Sequence, residues 1–470
     1  MKGGDSEAEV QTSLQRLGQL TASLSLADQS ESVRQKTKAH LLDTLGFILL
    51  AREHPNVARA RSFVHLLDNA TFSPQGTAFL GGVAADALAL DDFDEATRIH
   101  PGAVVVPALL AAGLEGGKGE RLLQGVFSGY EVACRLGDLL ETGQAHLRGF
   151  HPSAIVGSLA AAAAVARFQG LEAAAIADCI GLAASLTSGL FELDPAGAIK
   201  GFQVGLAARN GLLAVLAHRA GYQPSATILD GPRGLLQAFG PRQAPPSGTL
   251  DSDTAEKVFS SLPCLQRISF KPYTHFTDLH PLTAILLDLL ETHTIAPQDI
   301  ESIHIRLPVP ASKTLNHAFP PLSLRSARRC PRFAVATLIC HGPSPKGDPL
   351  IAQFQQKAVE DSRTIELAER ISWQADLAAD SDPQVMLEVH LRSGELLATE
   401  GSSYPGDGRR EETRWNLPQV TARFLQISSQ LLGGTGEANR WLKEIAELER
   451  LEDVSSLAES VSRQMTGEGK

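Results

Sequence analysis

The spacing of apolar residues changes twice along this chain, and that double change constrains the fold more than any other feature. From Val33 to Ala220 apolar positions recur at helical spacing almost without a break, through Val33–Ala51, Ala84–Leu90, Val105–Gly113, Arg121–Leu140, Ser153–Phe168, Leu171–Leu190 and Gly201–Ala220. Gly221 supplies the expected stop of the last segment. Ser153–Phe168 and Leu171–Leu190 are dense in Ala, Gly and Ser. Small side chains let backbones approach closely, so these two predict a tightly packed central pair. Turn formers at Pro241–Ser252 predict a linker or surface loop. Beyond it the period becomes two: Ile303, Ile305 and Leu307 alternate with His304 and Arg306, and Val385–Leu391 alternates before a Ser393-Gly394 turn into Glu395–Thr399. Leu282–Thr292 and Phe333–Cys340 keep helical spacing between the strands, and it returns at Val420–Leu432, Trp441–Leu451 and Val454–Val461. The expected fold is mainly α. A large, discontinuous all-helical domain (1–265 plus 403–470) carries a smaller α+β lid domain (266–402).

A chain of 470 residues, 43% hydrophobic and 20% charged, can bury its cores without disulfides or metal staples. With 42 basic against 53 acidic residues the net charge is −11, which argues against a nucleic-acid partner. An anionic metabolite stays open, because one basic pocket can outweigh a distant, screened acidic surface. The five cysteines are scattered with no CxxC pair, which disfavours a zinc ribbon or a thioredoxin-like site and suits a reducing compartment. The opening MKGGDSEAEV has no apolar run of the secretory kind. The longest apolar run, near Ser153–Ala166, is too short to cross a bilayer. The expected location is the cytoplasm, with no membrane partner.

Four polar constellations are candidates for chemistry. Asp91-Asp92-Phe93-Asp94-Glu95 runs through Thr97 to His100-Pro101-Gly102 between two apolar helices. Acids beside a histidine suit acid–base work, a metal, or a solvated helix cap. The run fails the EF-hand pattern for want of a glycine and a glutamate at the sixth and twelfth positions. Its DDxxE spacing fits a Mg²⁺–diphosphate site, but the chain has only 5% aromatics to line a carbocation pocket. His151 precedes the alanine-rich helix, and Lys200 stands at a helix start, where it either binds an anion or reaches out to solvent. Finally, Lys271, His275 and His280 fall within ten residues at the boundary of the two domains, where small-molecule sites concentrate. GxSxG, Walker A, GxGxxG and HExxH are all absent.

Taken in order, these pieces resemble the MmgE/PrpD family, whose members dehydrate 2-methylcitrate, decarboxylate cis-aconitate or epimerise iminodisuccinate. The resemblance runs from about Ala22 to Leu457. It rests on Leu90–Glu95 followed by His100-Pro101-Gly102, Gly129-Tyr130-Glu131-Val132, Gly149-Phe150-His151-Pro152, Lys200 ahead of Gly205–Gly211, and Ser269–Tyr273 ahead of His280-Pro281. It implies a helical domain with an α+β lid, a homodimer, and a site needing neither cofactor nor metal. Carried over by position, Asp92, His100, Lys200 and His280 are the expected catalytic residues, with His151 and Lys271 as substrate-binding neighbours; Thr97 and His275, where the chain departs from the family's pattern, are the other expected substrate-binding residues. The expected substrate is a small di- or tricarboxylate that gains, loses or moves a proton next to a carboxylate. Dehydration of the 2-methylcitrate type is the leading reading. Decarboxylation and epimerisation are its close alternatives, and a Mg²⁺-dependent terpene synthase-like enzyme or a non-catalytic helical binding protein its distant ones. Asp92, His100 and His280 are expected to converge on one mouth.

Overall fold

The computed structural model describes residues 11–68, 73–193, 197–241, 263–315, 318–321, 324–342, 361–431 and 436–466. The expected linker beyond Pro241 lies outside them. The helical part begins with α1 (Ser13–Ser23), α2 (Glu31–Leu50), α3 (Pro55–Asp68) and α4 (Pro74–Asp86), followed by α5 (Gly102–Gly113), α6 (Gly119–Leu139) and the short α7 (Thr142–Leu147). It continues through α8 (Pro152–Phe168), α9 (Ala173–Ala184), α10 (Ala198–Arg219) and the short α11 (Leu235–Phe239). Starts are set by local chemistry: Ser30 and Ser73 accept the backbone N–H groups of Val33 and Gly76 to cap α2 and α4. Gly221, with φ +91°, takes the left-handed position just past α10.

Helix α8 is central, and its closest neighbours are α6 and α10; α9 packs on it as well but stops at Ala184. The segment to Leu190 is therefore not one helix: beyond Ala184 the chain turns away, and Leu190 pairs with Phe150. Small residues do set the spacing. A Cβ on Gly211 of α10 would come 2.3 Å from the Cβ of Ala161 on α8, and one on Gly205 would come 2.5 Å from the Phe79 carbonyl of α4. Gly205→Ala should cost about 1–3 kcal/mol by overpacking, read as a lower denaturant midpoint. An unchanged midpoint would mean that α4 and α10 do not meet there.

A four-stranded sheet, ordered β2-β1-β3-β4, forms the second layer system from β1 (Ile300–Pro308), β2 (Ile371–Leu377), β3 (Val385–Leu391) and β4 (Leu396–Gly401). β1 pairs parallel with β2, Ile303 opposite Ile371, and antiparallel with β3, Ile305 opposite Leu387. The β1-to-β2 crossover contains α13 (Pro331–His341) and α14 (Ser362–Glu369), while α12 (His280–Thr292) packs on β3 and β4. Leu282, Leu286, Ile303, Ile305, Val335, Leu338, Leu387 and Val389 form its core. Chain direction then reverses: α15 (Leu417–Leu431), α16 (Gly436–Ala446) and α17 (Ser455–Thr466) return to the helical core, where Phe424, Trp441 and Leu457 are buried. The molecule is mainly α with a smaller α+β part. Among the described residues, no helix is long and apolar enough to cross a membrane, and all five cysteines are free.

Candidate active site

The loop from α4 to α5 carries the densest polar cluster and is sewn to the strand-like segment that leads into α12. Phe93 N–H donates to the Ser269 carbonyl (3.0 Å) and Ser269 N–H to the Phe93 carbonyl (2.8 Å). At the start of α5, Gly102 has no room for a Cβ, which would lie 2.6 Å from Thr44 Oγ1 and from the Tyr130 hydroxyl. That crowding explains the glycine of His100-Pro101-Gly102. The Asp92 carboxylate occupies the same crevice. It accepts from Gly102 N–H (2.9 Å) and Tyr130 O–H (2.5 Å), with His40 Nδ1 at 2.9 Å.

Beside this loop opens a cavity of about 200 Å³. Its wall includes His100 and Arg98 from the loop, His151 at the head of α8, Lys200 in the first turn of α10, and Lys271 and His275 from the opposing segment. Arg328 and Arg329 close it from the α+β side, and His54, His146, Asp86, Asn56, Thr274 and Thr277 complete the polar lining. Cations dominate this wall although the chain as a whole is acidic.

His100 is the best-placed base. Its Nδ1 lies 2.8 Å from the Asp92 carbonyl and 3.2 Å from Asp91 Oδ2. The shortest of its contacts is the Asp92 carbonyl, and two acceptors outweigh the longer approach of Lys271 Nζ (3.3 Å), so the proton is assigned to Nδ1 and Nε2 keeps its lone pair. Burial pushes the imidazole pKa well below its ordinary value against the pull of Asp91, with Lys271 and Lys200 adding to the drop. A neutral ring with a fixed tautomer results. Lys271 Nζ donates to Asp91 Oδ1 (3.2 Å), and burial lowers its pKa while Asp91 opposes that. Burial alone would raise the Asp91 carboxyl, but His100, Lys271 and Lys200, in that order, hold it below the carboxylate range. Lys200 is ion-paired with Asp86. His151 Nδ1 contacts Gln203 Oε1 at 2.7 Å, and burial, reinforced by Lys200, lowers its pKa to about 3.

Of the expected residues, His100, Lys200, His151, Lys271 and His275 meet at this cavity, and three do not. Asp92 directs its carboxylate into the helical core and reaches the site only through its backbone carbonyl on His100; Asp91 is the acid beside the base. Thr97 Oγ1 donates to Asp94 Oδ2 (2.7 Å), which Arg267 also holds (2.7 Å), so that hydroxyl braces the loop. His280 sits one layer behind: its Nε2 lies 3.0 Å from the His275 carbonyl, and its ring stands edge-on to Tyr404 and Tyr273. The expected facing of His100 and His280 across a mouth is corrected to His100 and His275. Asp86, Arg98, His54, His146, Arg328 and Arg329 were not singled out from sequence. The adjacent pair Arg328-Arg329, just ahead of a helix-starting Cys330-Pro331, was the signal available.

The carboxylates of the Asp91–Glu95 run do not share a metal-binding face. Asp91 is engaged by Lys271, Asp92 by Tyr130 and Gly102, and Asp94 by Arg267 and Thr97. Among the described residues, no group of three or more His, Cys, Asp or Glu could hold a metal ion. A diphosphate–Mg²⁺ site has no support in this arrangement.

Comparison with known proteins agrees with the geometry. The MmgE/PrpD N-terminal domain matches residues 15–247, and the MmgE/PrpD C-terminal domain matches residues 276–446. The cis-aconitate decarboxylase of Homo sapiens is 24% identical over 461 residues, covering 92% of this chain and 91% of that protein. The cis-aconitate decarboxylase-like protein oryM of Aspergillus oryzae is 33% identical over 170 residues, and the cis-aconitate decarboxylase of Aspergillus terreus 30% over 163. Those two alignments span only 35% and 33% of the fungal relatives' lengths. With both domains matched in order, this chain belongs to the MmgE/PrpD family.

Proposed function

We propose that this chain is a lyase that decarboxylates a small unsaturated polycarboxylate of the cis-aconitate type. The observation that carries the reading is a neutral, tautomer-fixed His100 beside the buried ammonium of Lys271 in a cation-walled cavity. The decarboxylase names of the relatives favour this reaction over 2-methylcitrate dehydration, which has no comparable support. In such a reaction one carboxylate leaves as CO₂ and its C–C electron pair moves into the carbon skeleton next to a remaining carboxylate. One proton then returns to carbon. Lys200 and Lys271 are placed to stabilise the charge that builds on the remaining carboxylate. Lys271 is also an acid of lowered pKa able to give the proton, and His100 can return it as a relay, taking a proton from solvent on Nε2 and passing the Nδ1 proton to the Lys271 amine 3.3 Å away. None of these roles calls for a cofactor.

Incubation with cis-aconitate, 2-methylcitrate, citrate and iminodisuccinate, followed by NMR, tests the reading directly. Loss of CO₂ from cis-aconitate is expected; loss of water or inversion without it would move the chain to another reaction of the family. Lys200→Ala removes a charge-assisted contact and should lower kcat/KM about 30-fold or more. Unchanged kcat/KM in a folded variant would make Lys200 a partner of Asp86 and nothing else. The exposed Leu190 and Ile199 flank the site's rim, and covering them in a homodimer is part of this proposal. A 50.0 kDa species by light scattering would count against it.

A further inference from the structure

Arg98 is held where its residue type does not belong. Its φ is +61°, in the left-handed region, and it is one of three such non-glycine residues among those described. The cause is a tight loop: Arg98 N–H donates to the Asp94 carbonyl (2.8 Å), and Asp94 N–H to the Ile99 carbonyl (3.0 Å). Glycine closes such a turn without steric cost, whereas a long side chain must work against its own Cβ. Strain of this kind persists where the side chain is needed.

The side chain goes into the cavity. Arg98 Nη1 is 3.3 Å from Asp278 Oδ1, and Asp278 is in turn held by the Thr314 hydroxyl. One edge of the guanidinium is thereby fixed, and the planar fork keeps further N–H groups to offer. Arg98 Cζ lies 5.7 Å from the centre of the Phe93 ring, and Lys271 Nζ lies 5.3 Å from the same centre. Phe93 itself lines the cavity and packs beside His100 at 5.0 Å. Two cations thus share one aromatic surface next to the base in the same cavity, and each can take a carboxylate of one small acid.

We propose that Arg98 is the specificity-determining residue of this cavity: it takes the carboxylate remote from His100, while Lys271 serves the reacting end. Asp278 orients the guanidinium and offsets part of its charge. The assignment rests on the polycarboxylate reading above, and selects for acids whose second carboxylate reaches across Phe93. A bidentate guanidinium–carboxylate pair gives both affinity and geometry.

Calorimetric titration with the unreactive tricarballylate, together with steady-state kinetics on cis-aconitate, tests it with three variants. Arg98→Gln should weaken tricarballylate binding and raise KM about 30-fold or more, with a much smaller change in kcat. Asp278→Asn removes the competing charge but keeps an acceptor for Arg98, so binding should hold or tighten. Arg98→Gly relieves the backbone and should fold at least as stably as the wild type, yet bind as poorly as Arg98→Gln. A purely structural bridge between the two parts predicts that Arg98→Gln and Asp278→Asn fail together; that result, or wild-type binding by Arg98→Gln, overturns the assignment. A wild-type chain that neither binds tricarballylate nor turns over any polycarboxylate overturns the functional reading and this assignment with it. Binding by the wild type that is indifferent to Arg98 overturns the assignment alone.

Discussion

His100→Gln should lower kcat by about 10²–10⁴-fold, the range a positioned proton-transfer group supplies, while the variant stays folded. Glutamine can still donate to the Asp92 carbonyl that now receives Nδ1–H, so the loop keeps its anchor. What it cannot supply is the basic Nε2, and among the described residues no second imidazole stands in the same relation to Lys271 and Asp91. His151 and His275 share the cavity, but their Nδ1 atoms contact Gln203 and Thr283. Substrate binding through the cations should survive, so the loss should fall on kcat and leave KM nearly unchanged. Steady-state kinetics with a circular-dichroism control decide the matter. More than a tenth of wild-type kcat would remove His100 from the chemistry.

The place of His100 at the cavity was legible in the sequence because His100-Pro101-Gly102 is a local motif between two apolar helices. Its acid partner was not. Asp91 and Asp92 are adjacent on an irregular loop, where neither a helical nor a strand period tells which carboxylate faces which way. Only the tertiary contacts of Tyr130, His40 and Gly102 draw Asp92 inward and leave Asp91 to Lys271. His275 and His280 were exchanged for a similar reason. The 3₁₀ turn Thr277–Leu279 between them resets the chain's direction, so His280 opens α12 behind the cavity wall. Arg98 was hidden because its left-handed backbone, not its position in a pattern, aims it at the cavity.

The fold was legible wherever periodicity was strong. The small-residue helices and the alternation of β1 and β3 follow it closely. β2 was legible by the same rule, since Ile371, Trp373, Ala375 and Leu377 alternate with Ser372, Gln374 and Asp376, although Ile371 alone is fully buried on that edge strand. α3 escaped notice because its weakly amphipathic run mixes arginine with alanine and valine, and packing on α4 completes it.

Between pH 7 and pH 5 the chain should lose stability, an effect arising from histidines buried in neutral form. Burial is the main cause in each case, and it lowers the pKa of His151 and His280 to about 3 and that of His275 to about 4. In the unfolded chain these groups titrate near 6.5. Below that value the unfolded state binds protons the folded state refuses, so stability falls as pH falls, until the folded pKa values are reached. At pH 5 each of the three contributes a loss of about 2 kcal/mol. Asp43 acts in the opposite sense: burial raises it to about 7 against the pull of Arg423, so protonating it favours the folded state and returns about 2 kcal/mol over the same interval. His100 and His40, both lowered chiefly by burial, add to the loss, while Asp86 and Glu95, both raised chiefly by burial, add to the gain. The histidines outweigh the acids. Urea midpoints at pH 7 and pH 5 measure the slope, and His280→Gln, which removes one such proton without touching the cavity wall, should flatten it by about 2 kcal/mol over that interval. A slope that His280→Gln leaves unchanged, with the midpoint level or rising on acidification, would show that these imidazoles are charged in the folded chain. His151 and His275 would then face the substrate as cations, and the cavity would bind its acid through imidazolium as well as through lysine and arginine.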